Sequence, residues 1–337
     1  MSKILITGGA GFVGYHLAKR LADQEHEIVL VDNFSRNGRD ADLLTLLQRP
    51  NTKLIEGDLT DPASYEKFGT GYDYVYHLAG INGFRQFMDM PHEVLRVGAA
   101  TALNILDWFR TKNNPPAGGQ GAKILFTSSN EVFTGAHEAF GALPVPTPEN
   151  VPLVIADPYN PRWSYAGSKI ISELLFIHYA KVYNLRMVIV RLHNLYGPGA
   201  GYDAMIPKFI GRTHNRLDPF PMFGPDDLRA SCYIADAVEA MQTAIESSAT
   251  DGQTYHIGDS REATIKTILE TMFEIMQWHP KEFDIKPSPN GPPTGGSTRD
   301  ILDVSKIKTD IGWEAKTSLE QGLRKTIEWY LAHPAQS

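Results

Sequence analysis

A chain of 337 residues, 42% hydrophobic and 21% charged, has ordinary globular composition and enough apolar material for a large core or two closely joined domains. A net charge of −7 argues against an electrostatic footprint for nucleic acid or an anionic membrane, so an anionic ligand would depend on local arginines. No apolar run approaches the ~20 residues that span a bilayer, and a first strand at Lys3 leaves no room for a signal peptide. The single cysteine, Cys232, suits a reducing cytosol, and no metal-ligand spacing occurs among the histidines, so a cytoplasmic protein without a metal site is expected.

In chain order, the apolar run Lys3–Thr7 passes at once into Gly8-Gly-Ala-Gly11-Phe-Val-Gly14 and then into a helical pattern carrying Leu17 and Leu21. A strand that turns through close glycines into a helix brings backbone N–H groups and the positive helix end against a pyrophosphate. A second run, Glu27–Val31, ends in Asp32, eighteen residues after Gly14, where a carboxylate accepts hydrogen bonds from ribose hydroxyls and repels a 2′-phosphate. The reading is a dinucleotide site that prefers NAD to NADP, with Arg36 nearby as the one residue that could favour the phosphate.

Further β-rich runs follow at Lys53–Glu56, Tyr74–Leu78, Lys123–Thr127 and Arg186–Leu192, alternating with helical stretches such as one near Val97–Arg110. This alternation predicts an α/β fold, a Rossmann-type doubly wound parallel sheet. Each run ends in small or polar residues, and such endings converge on the ligand crevice of an open sheet. Asn113–Gly121 reads as a surface loop, and Lys286–Thr298, rich in Pro and Gly, as a long flexible one. Helices are expected at Ala237–Glu246, Ile265–Met276 and Leu319–Leu331, the last capped by Thr317-Ser318.

Tyr165-Ala-Gly-Ser-Lys169 opens another helical run, with the phenol and the ammonium on one face. A nearby positive charge favours phenolate and would lower the tyrosine pKa towards the range of a general base. The spacing alone is weak, but it follows a strand ending in Thr127-Ser-Ser129 within a dinucleotide-binding half.

Together these motifs, with Gly57-Asp-Leu59, His77-Leu-Ala-Gly80, Arg191-Leu-His-Asn-Leu-Tyr-Gly-Pro198, Arg229 with Tyr233 and Asp236, Asp303-Val-Ser-Lys306 and Gly312-Trp313, resemble the extended short-chain dehydrogenase/reductase family, in its NAD-dependent nucleotide-sugar epimerase/dehydratase branch. The resemblance covers nearly the whole chain. It implies that Gly8, Gly11 and Gly14 cradle the NAD pyrophosphate, Asp32 the adenosine ribose, and Asp58 with Leu59 the adenine. Phe12, Val13, Asn33, Leu78, Ala79 and Gly80 would complete the cofactor site. Lys169 would hold the nicotinamide ribose, while Tyr165, assisted by Ser129, would take the proton of the sugar C4 hydroxyl as that carbon is oxidised to a ketone. Asn194, Arg229 and Arg299 would bind the diphosphate of a nucleoside-diphosphate sugar.

Glu131, two residues after Ser129, resembles the pattern of 4,6-dehydratases and nucleotide-glucuronate decarboxylases, in which a glutamate serves a step beyond C4 oxidation. Asn130 stands where dehydratases commonly carry an aspartate, and an amide cannot donate that proton. Arg162, just before Tyr165, matches the decarboxylase arrangement and could pair with a sugar carboxylate. Gly80, Gly98, Phe133-Thr134 and His193 depart from the usual pattern and suggest a reshaped sugar pocket. The reading therefore leans to Glu131-assisted decarboxylation or an unusual dehydration, with simple 4-epimerisation as the alternative. A non-catalytic NAD-binding regulator is disfavoured because Ser129, Tyr165 and Lys169 all stand. Residues 1–195 are expected to bind NAD, and 196–337, a smaller α/β region with some segments returning to the first, mainly the substrate. The resemblance also suggests a homodimer through helices near Ala99–Arg110 and Tyr165–Tyr183.

Overall fold

The computed structural model describes residues 1–36, 38–113, 121–287 and 299–333. In chain order its first elements are β1 (Lys3–Thr7), α1 (Phe12–Asp23), β2 (Glu27–Asp32), α2 (Ala41–Leu46), β3 (Thr52–Glu56), β4 (Tyr74–His77), α3 (Phe84–Asp89) and α4 (Pro91–Trp108). There follow β5 (Lys123–Ser129), α5 (Glu131–Phe140), α6 (Ser164–Tyr183), β6 (Arg186–Leu192), β7 (Leu195–Tyr196), α7 (Met205–His214), β8 (Phe220–Phe223), β9 (Leu228–Ala230), β10 (Cys232–Tyr233) and α8 (Ile234–Glu246). The last are β11 (Gln253–Ile257), β12 (Glu262–Thr264), α9 (Ile265–Met276), β13 (Phe283–Lys286), β14 (Arg299–Asp300), α10 (Ser305–Ile311) and α11 (Leu319–Ala332).

Two compact units share these elements: Met1–Val132, Ile155–Arg191 and Val238–Tyr255 form one, and Phe133–Val154, Leu192–Ala237 and His256–Ser337 the other. The division is thus interleaved, with Val238–Tyr255 in the first unit and Phe133–Val154 in the second.

The first unit is built on a seven-stranded sheet of order β11-β6-β5-β4-β1-β2-β3. The pairings β1–β2, β1–β4, β2–β3 and β4–β5 are all parallel, with Leu5 opposite both Val29 and Val75. Ile4, Leu5 and Ile6 are fully buried, which is why this strand reads as an unbroken apolar run: helices cover both faces of a parallel sheet. The chain runs outward from β1 to β3 and then crosses back to β4 on the other side of β1. That reversal opens a crevice at the strand ends, where ligands bind in doubly wound sheets. On one face Phe109, Phe126 and Phe176 belong to a buried cluster that seats α4 and α6.

In this unit α4 starts earlier than the apolar pattern suggests, because Pro91 occupies its first turn, and it runs on into a π turn at Phe109–Asn113. The expected loop at Asn113–Gly121 lies outside the described residues except at its two ends.

The second unit holds the parallel pair β7–β10, the three-stranded sheet β12-β9-β14 and the parallel pair β8–β13. Lys286, expected in a loop, is the last residue of β13, and most of Lys286–Thr298 lies outside the described residues. Asp236 ties the unit together: its carboxylate accepts from Thr317 N at 2.9 Å and Thr317 Oγ1 at 3.0 Å, and its carbonyl from Trp313 Nε1 at 3.2 Å. Ser318 and Gln321 close a capping box that starts α11. Among the described residues no helix is long and apolar enough to cross a membrane, and no group of three or more His, Cys, Asp or Glu could hold a metal ion.

Candidate active site

The turn after β1 admits only glycine at two points. Gly8 has φ +69°, and a Cβ there would meet Ala79 N at 2.9 Å; a Cβ on Gly14 would lie 2.2 Å from Gly8 O, closing the turn against its own helix. Gly11 is the N-cap of α1, with no side chain capping the helix and no acidic residue in its first turn. The result is an uncapped positive helix end at the tip of β1, which suits a pyrophosphate. Asp32, at the end of β2, accepts from Ala10 N at 3.0 Å and Phe34 N at 2.9 Å. Each carboxylate oxygen has a second lone pair, so the group is fixed in place and still able to accept from ribose hydroxyls. These residues fit an NAD molecule.

The other positions that the resemblance assigns to the cofactor are arranged around the same strand ends. Asp58 is exposed and folds onto Thr60, accepting from its N at 2.8 Å and Oγ1 at 2.9 Å, while Leu59 is buried with its carbonyl held by Asn104 Nδ2 at 3.0 Å. Asn33 accepts from Ser35 N at 3.1 Å, and Leu78 N reaches Thr7 O at 3.2 Å. Phe12 and Val13 form the first turn of α1, and Gly80 leaves the space into which Lys169 Nζ points, 3.8 Å from where its Cβ would be.

Ser129 ends β5, Glu131 opens α5, Arg162 stands in a 3₁₀ turn, and Tyr165 and Lys169 lie one turn apart at the start of α6. The fold brings these five together. The Ser129 hydroxyl hydrogen-bonds the Tyr165 phenol. It also accepts from Glu131 N and reaches Asn130 Oδ1, each at 3.3 Å. Arg162 Nη2 lies 3.8 Å from the Glu131 carboxylate, while its Nη1 is buried with no hydrogen-bond partner.

The electrostatics correct one expectation. Burial pushes the Tyr165 phenol up to about 12, against the lowering effect of the Ser129 hydrogen bond, with Glu131 raising it further and Arg36 lowering it. Lys169 is not what sets this value. Its Nζ donates to Thr127 O at 2.8 Å and sits 5.8 Å from the Tyr165 ring centroid, and burial draws its own pKa down to about 8. A buried site favours the neutral form of both groups, and that outweighs their mutual attraction across this distance.

Sequence reasoning missed three supports. Asn130 enters it only as the amide that cannot be an acid, yet it touches Ser129. His77, beside the stacked pair Phe126 and Phe176 and near-parallel to both, pairs its Nδ1 with Thr7 Oγ1 at 2.9 Å and is held neutral, its pKa lowered to about 3 by burial and by Lys169. Phe87 of α3 stacks on the Tyr165 ring, centroids 4.7 Å apart at 15°. An aromatic soon after the end of β4 is the only signal the sequence offers for it.

In the second unit Asn194 takes a left-handed conformation, φ +42°, that Asn tolerates better than most residues; its carbonyl accepts from Cys232 N at 3.2 Å, and its Nδ2 lies 2.9 Å from His193 Nε2. Arg229 and Arg299 lie on the paired strands β9 and β14. Arg229 is buried and donates to Asp227 at 3.0 Å, whereas Arg299 is half exposed and forms a fork to Glu262 at 2.8 and 3.0 Å. Both arginines are thus oriented by a carboxylate.

The model of the NAD dependent epimerase/dehydratase family matches residues 4–258. The chain belongs to that family. A UDP-N-acetyl-alpha-D-glucosaminuronate decarboxylase of Bacillus cytotoxicus is 30% identical over 338 residues, with 97% of each chain covered. UDP-glucuronic acid decarboxylase 6 of Arabidopsis thaliana is 28% identical, over 95% of this chain and 86% of its own length. Among solved structures, a UDP-glucose 4-epimerase of Thermotoga maritima, determined with UDP-glucose, matches with a TM-score of 0.81 at 26% identity, covering 98% of this chain and 99% of its own. The protein is therefore an enzyme of the extended short-chain dehydrogenase/reductase family with NAD as its cofactor, on the Rossmann-type sheet expected from its strand pattern.

Proposed function

We propose that this epimerase/dehydratase-family enzyme decarboxylates a nucleotide-linked hexuronate after oxidising its C4 hydroxyl. The observation that carries the reading is Arg162: one guanidinium donor faces Glu131 at 3.8 Å and the other is buried without a partner, on the segment that leads into Tyr165. An open guanidinium donor beside the acid–base group is suited to a sugar carboxylate. The names of the Bacillus cytotoxicus and Arabidopsis thaliana relatives lend support.

Bound NAD supplies the two-electron acceptor and returns the electrons at the end of the cycle. Tyr165 takes the C4 hydroxyl proton while Ser129 holds the same oxygen. The C4 ketone is then β to the carboxylate, so the C5–C6 bond can break with its electrons flowing to the carbonyl oxygen, where Tyr165 and Ser129 donate. Arg162 orients the carboxylate before carbon dioxide leaves, and Glu131 handles the proton that C5 takes up. Asn194, Arg229 and Arg299 are assigned to the diphosphate, and Gly8, Gly11, Gly14 and Asp32 to NAD. The enzyme is taken to work as a homodimer through α4 and α6, which leave Leu95, Leu103, Ile171, Leu174 and Ile177 exposed at helical spacing.

Simple 4-epimerisation is the second reading, favoured by the likeness to the Thermotoga maritima epimerase. Incubation with UDP-glucuronate, UDP-N-acetylglucosaminuronate, UDP-glucose and UDP-N-acetylglucosamine, followed by mass spectrometry, separates the outcomes. Loss of carbon dioxide from a hexuronate, falling at least about 10²-fold in Glu131→Gln, is expected. An unchanged mass with new stereochemistry, or full activity of Glu131→Gln, overturns the proposal.

A further inference from the structure

Phe87 is the residue in contact with Tyr165 that no motif accounts for. It belongs to α3, which has no buried residue; its neighbours Phe84 and Met88 are 68% and 41% exposed. Such a helix is not held by the core. Its aromatic hold on the site is the near-parallel stack of Phe87 on Tyr165, at 4.7 Å and 15°. The helix starts from Gly83 at φ +134°, a conformation that favours glycine, and ends at Asp89, with only Met90 between it and Pro91, the first residue of α4. The chain thus makes an extra turn of helix after β4, and the turn lays one ring on another.

We propose that Phe87 is a positioning residue for Tyr165: it fixes the plane in which the phenol meets Ser129 and keeps water from one face of the ring. The inference rests on the reading of Tyr165 as the acid–base group. The charged groups around the phenol are Glu131 from α5, Lys169 from α6, Arg36 from the loop after β2, and Arg162 behind Glu131, while Arg85 and Asp89 of α3 pair with each other in solvent. None of them covers the ring face that Phe87 occupies with an apolar surface. Burial is the largest influence on the phenol, so uncovering that face makes phenolate easier to form, while loosening the ring makes the proton transfer less well aimed.

The test is ¹³C NMR of ring-labelled tyrosine in the full-length protein, with the Tyr165 resonance assigned by its loss in Tyr165→Phe. In Phe87→Ser, Tyr165 should carry about tenfold more phenolate at pH 10 than in the parent, and the acid limb of kcat should move by about one pH unit to lower pH with a lower plateau. Phe87→Tyr should restore both. An unchanged Tyr165 titration in a Phe87→Ser protein of normal melting temperature overturns the proposal. If that variant does not fold, Phe87→Leu replaces it: loss of the ring-current shift on Tyr165 with a smaller rise in phenolate is expected, and an unaltered Tyr165 spectrum overturns the proposal. The titration is read on the tyrosine itself, so it stands or falls separately from the sugar chemistry. Full turnover by Tyr165→Phe would defeat the acid–base reading alone.

Discussion

Lys169 carries its charge at a cost to the fold. Burial lowers its pKa to about 8 from 10.5, only partly countered by Glu173, and its ammonium donates to the Thr127 carbonyl. Below pH 8 the folded and unfolded chains both hold the proton, and the whole penalty of the buried ammonium is present. Between about pH 8 and 10.5 the folded chain has released the proton and the unfolded chain has not, so native stability rises with pH across that window. Lys169→Met removes the charge and keeps the chain length, while leaving one carbonyl less well satisfied. Thermal unfolding at pH 7 should therefore find the variant inactive yet more stable by about 1–2 kcal/mol, with the advantage disappearing by about pH 10.5. Equal stabilities at pH 7 and pH 10 would mean that the ammonium is not desolvated. Stability alone therefore does not account for a lysine at this position, where its ammonium lies beside Gly80.

At the scale of elements, the pairing of α4 with α6 decides where Tyr165 stands. Gly98 of α4 packs directly on Ser168 of α6: a Cβ there would be 2.8 Å from the Ser168 Cβ, and Ser172 Oγ donates to the Gly98 carbonyl at 3.3 Å. A departure from the family pattern at Gly98 was thus visible in the sequence, but the cause, close approach of two helices distant in the chain, was not. Gly98→Ala gains helix propensity of up to ~1 kcal/mol and meets overpacking of ~1–3 kcal/mol, so a net loss of about 1–2 kcal/mol is expected. Because Ser168 lies between Tyr165 and Lys169, kcat should fall as well. Ser168→Gly in the same chain should recover most of both losses, and a double-mutant cycle with no coupling would remove Gly98 as the spacer. A second tie, from α6 to β6, is the buried fork of Arg191 on Glu173 at 2.9 and 2.8 Å. Six of the seven strands of the sheet were legible within one or two residues, most of them because burial on both faces writes an apolar run, whereas β11 at the sheet edge was not read as a strand. By contrast β7, β10 and β14, of two residues each, are too short to carry a period, and α3 has no buried face to betray it.

For the whole molecule, the dinucleotide half was legible from β1 onward because its motif is local, a strand, a turn and a helix in one stretch. Which segments interleave was not, because that is set by long-range pairing: β11, after α8, lies at the edge of the first sheet beside β6. A surface property follows from the same helices that set the site. Leu95 and Leu103 are eight residues apart on α4, and Ile171, Leu174 and Ile177 are three apart on α6, so each set forms a stripe, and all five are between 38% and 44% exposed. Charged pairs flank them, Arg96 with Glu93 at 2.7 Å and Arg110 with Asp107 at 2.9 Å, an apolar centre with a polar rim that suits the proposed pairing of two copies. Sedimentation equilibrium at micromolar concentration should give twice the 37.4 kDa chain mass. Ile171→Glu with Leu174→Glu would bury two unpaired charges in each copy, so dissociation should become easier by at least about 10²-fold while circular dichroism stays that of the parent. A parent chain that sediments as a monomer removes the dimer. A charged variant that remains dimeric moves the interface away from α4 and α6, and with it the reason for those stripes.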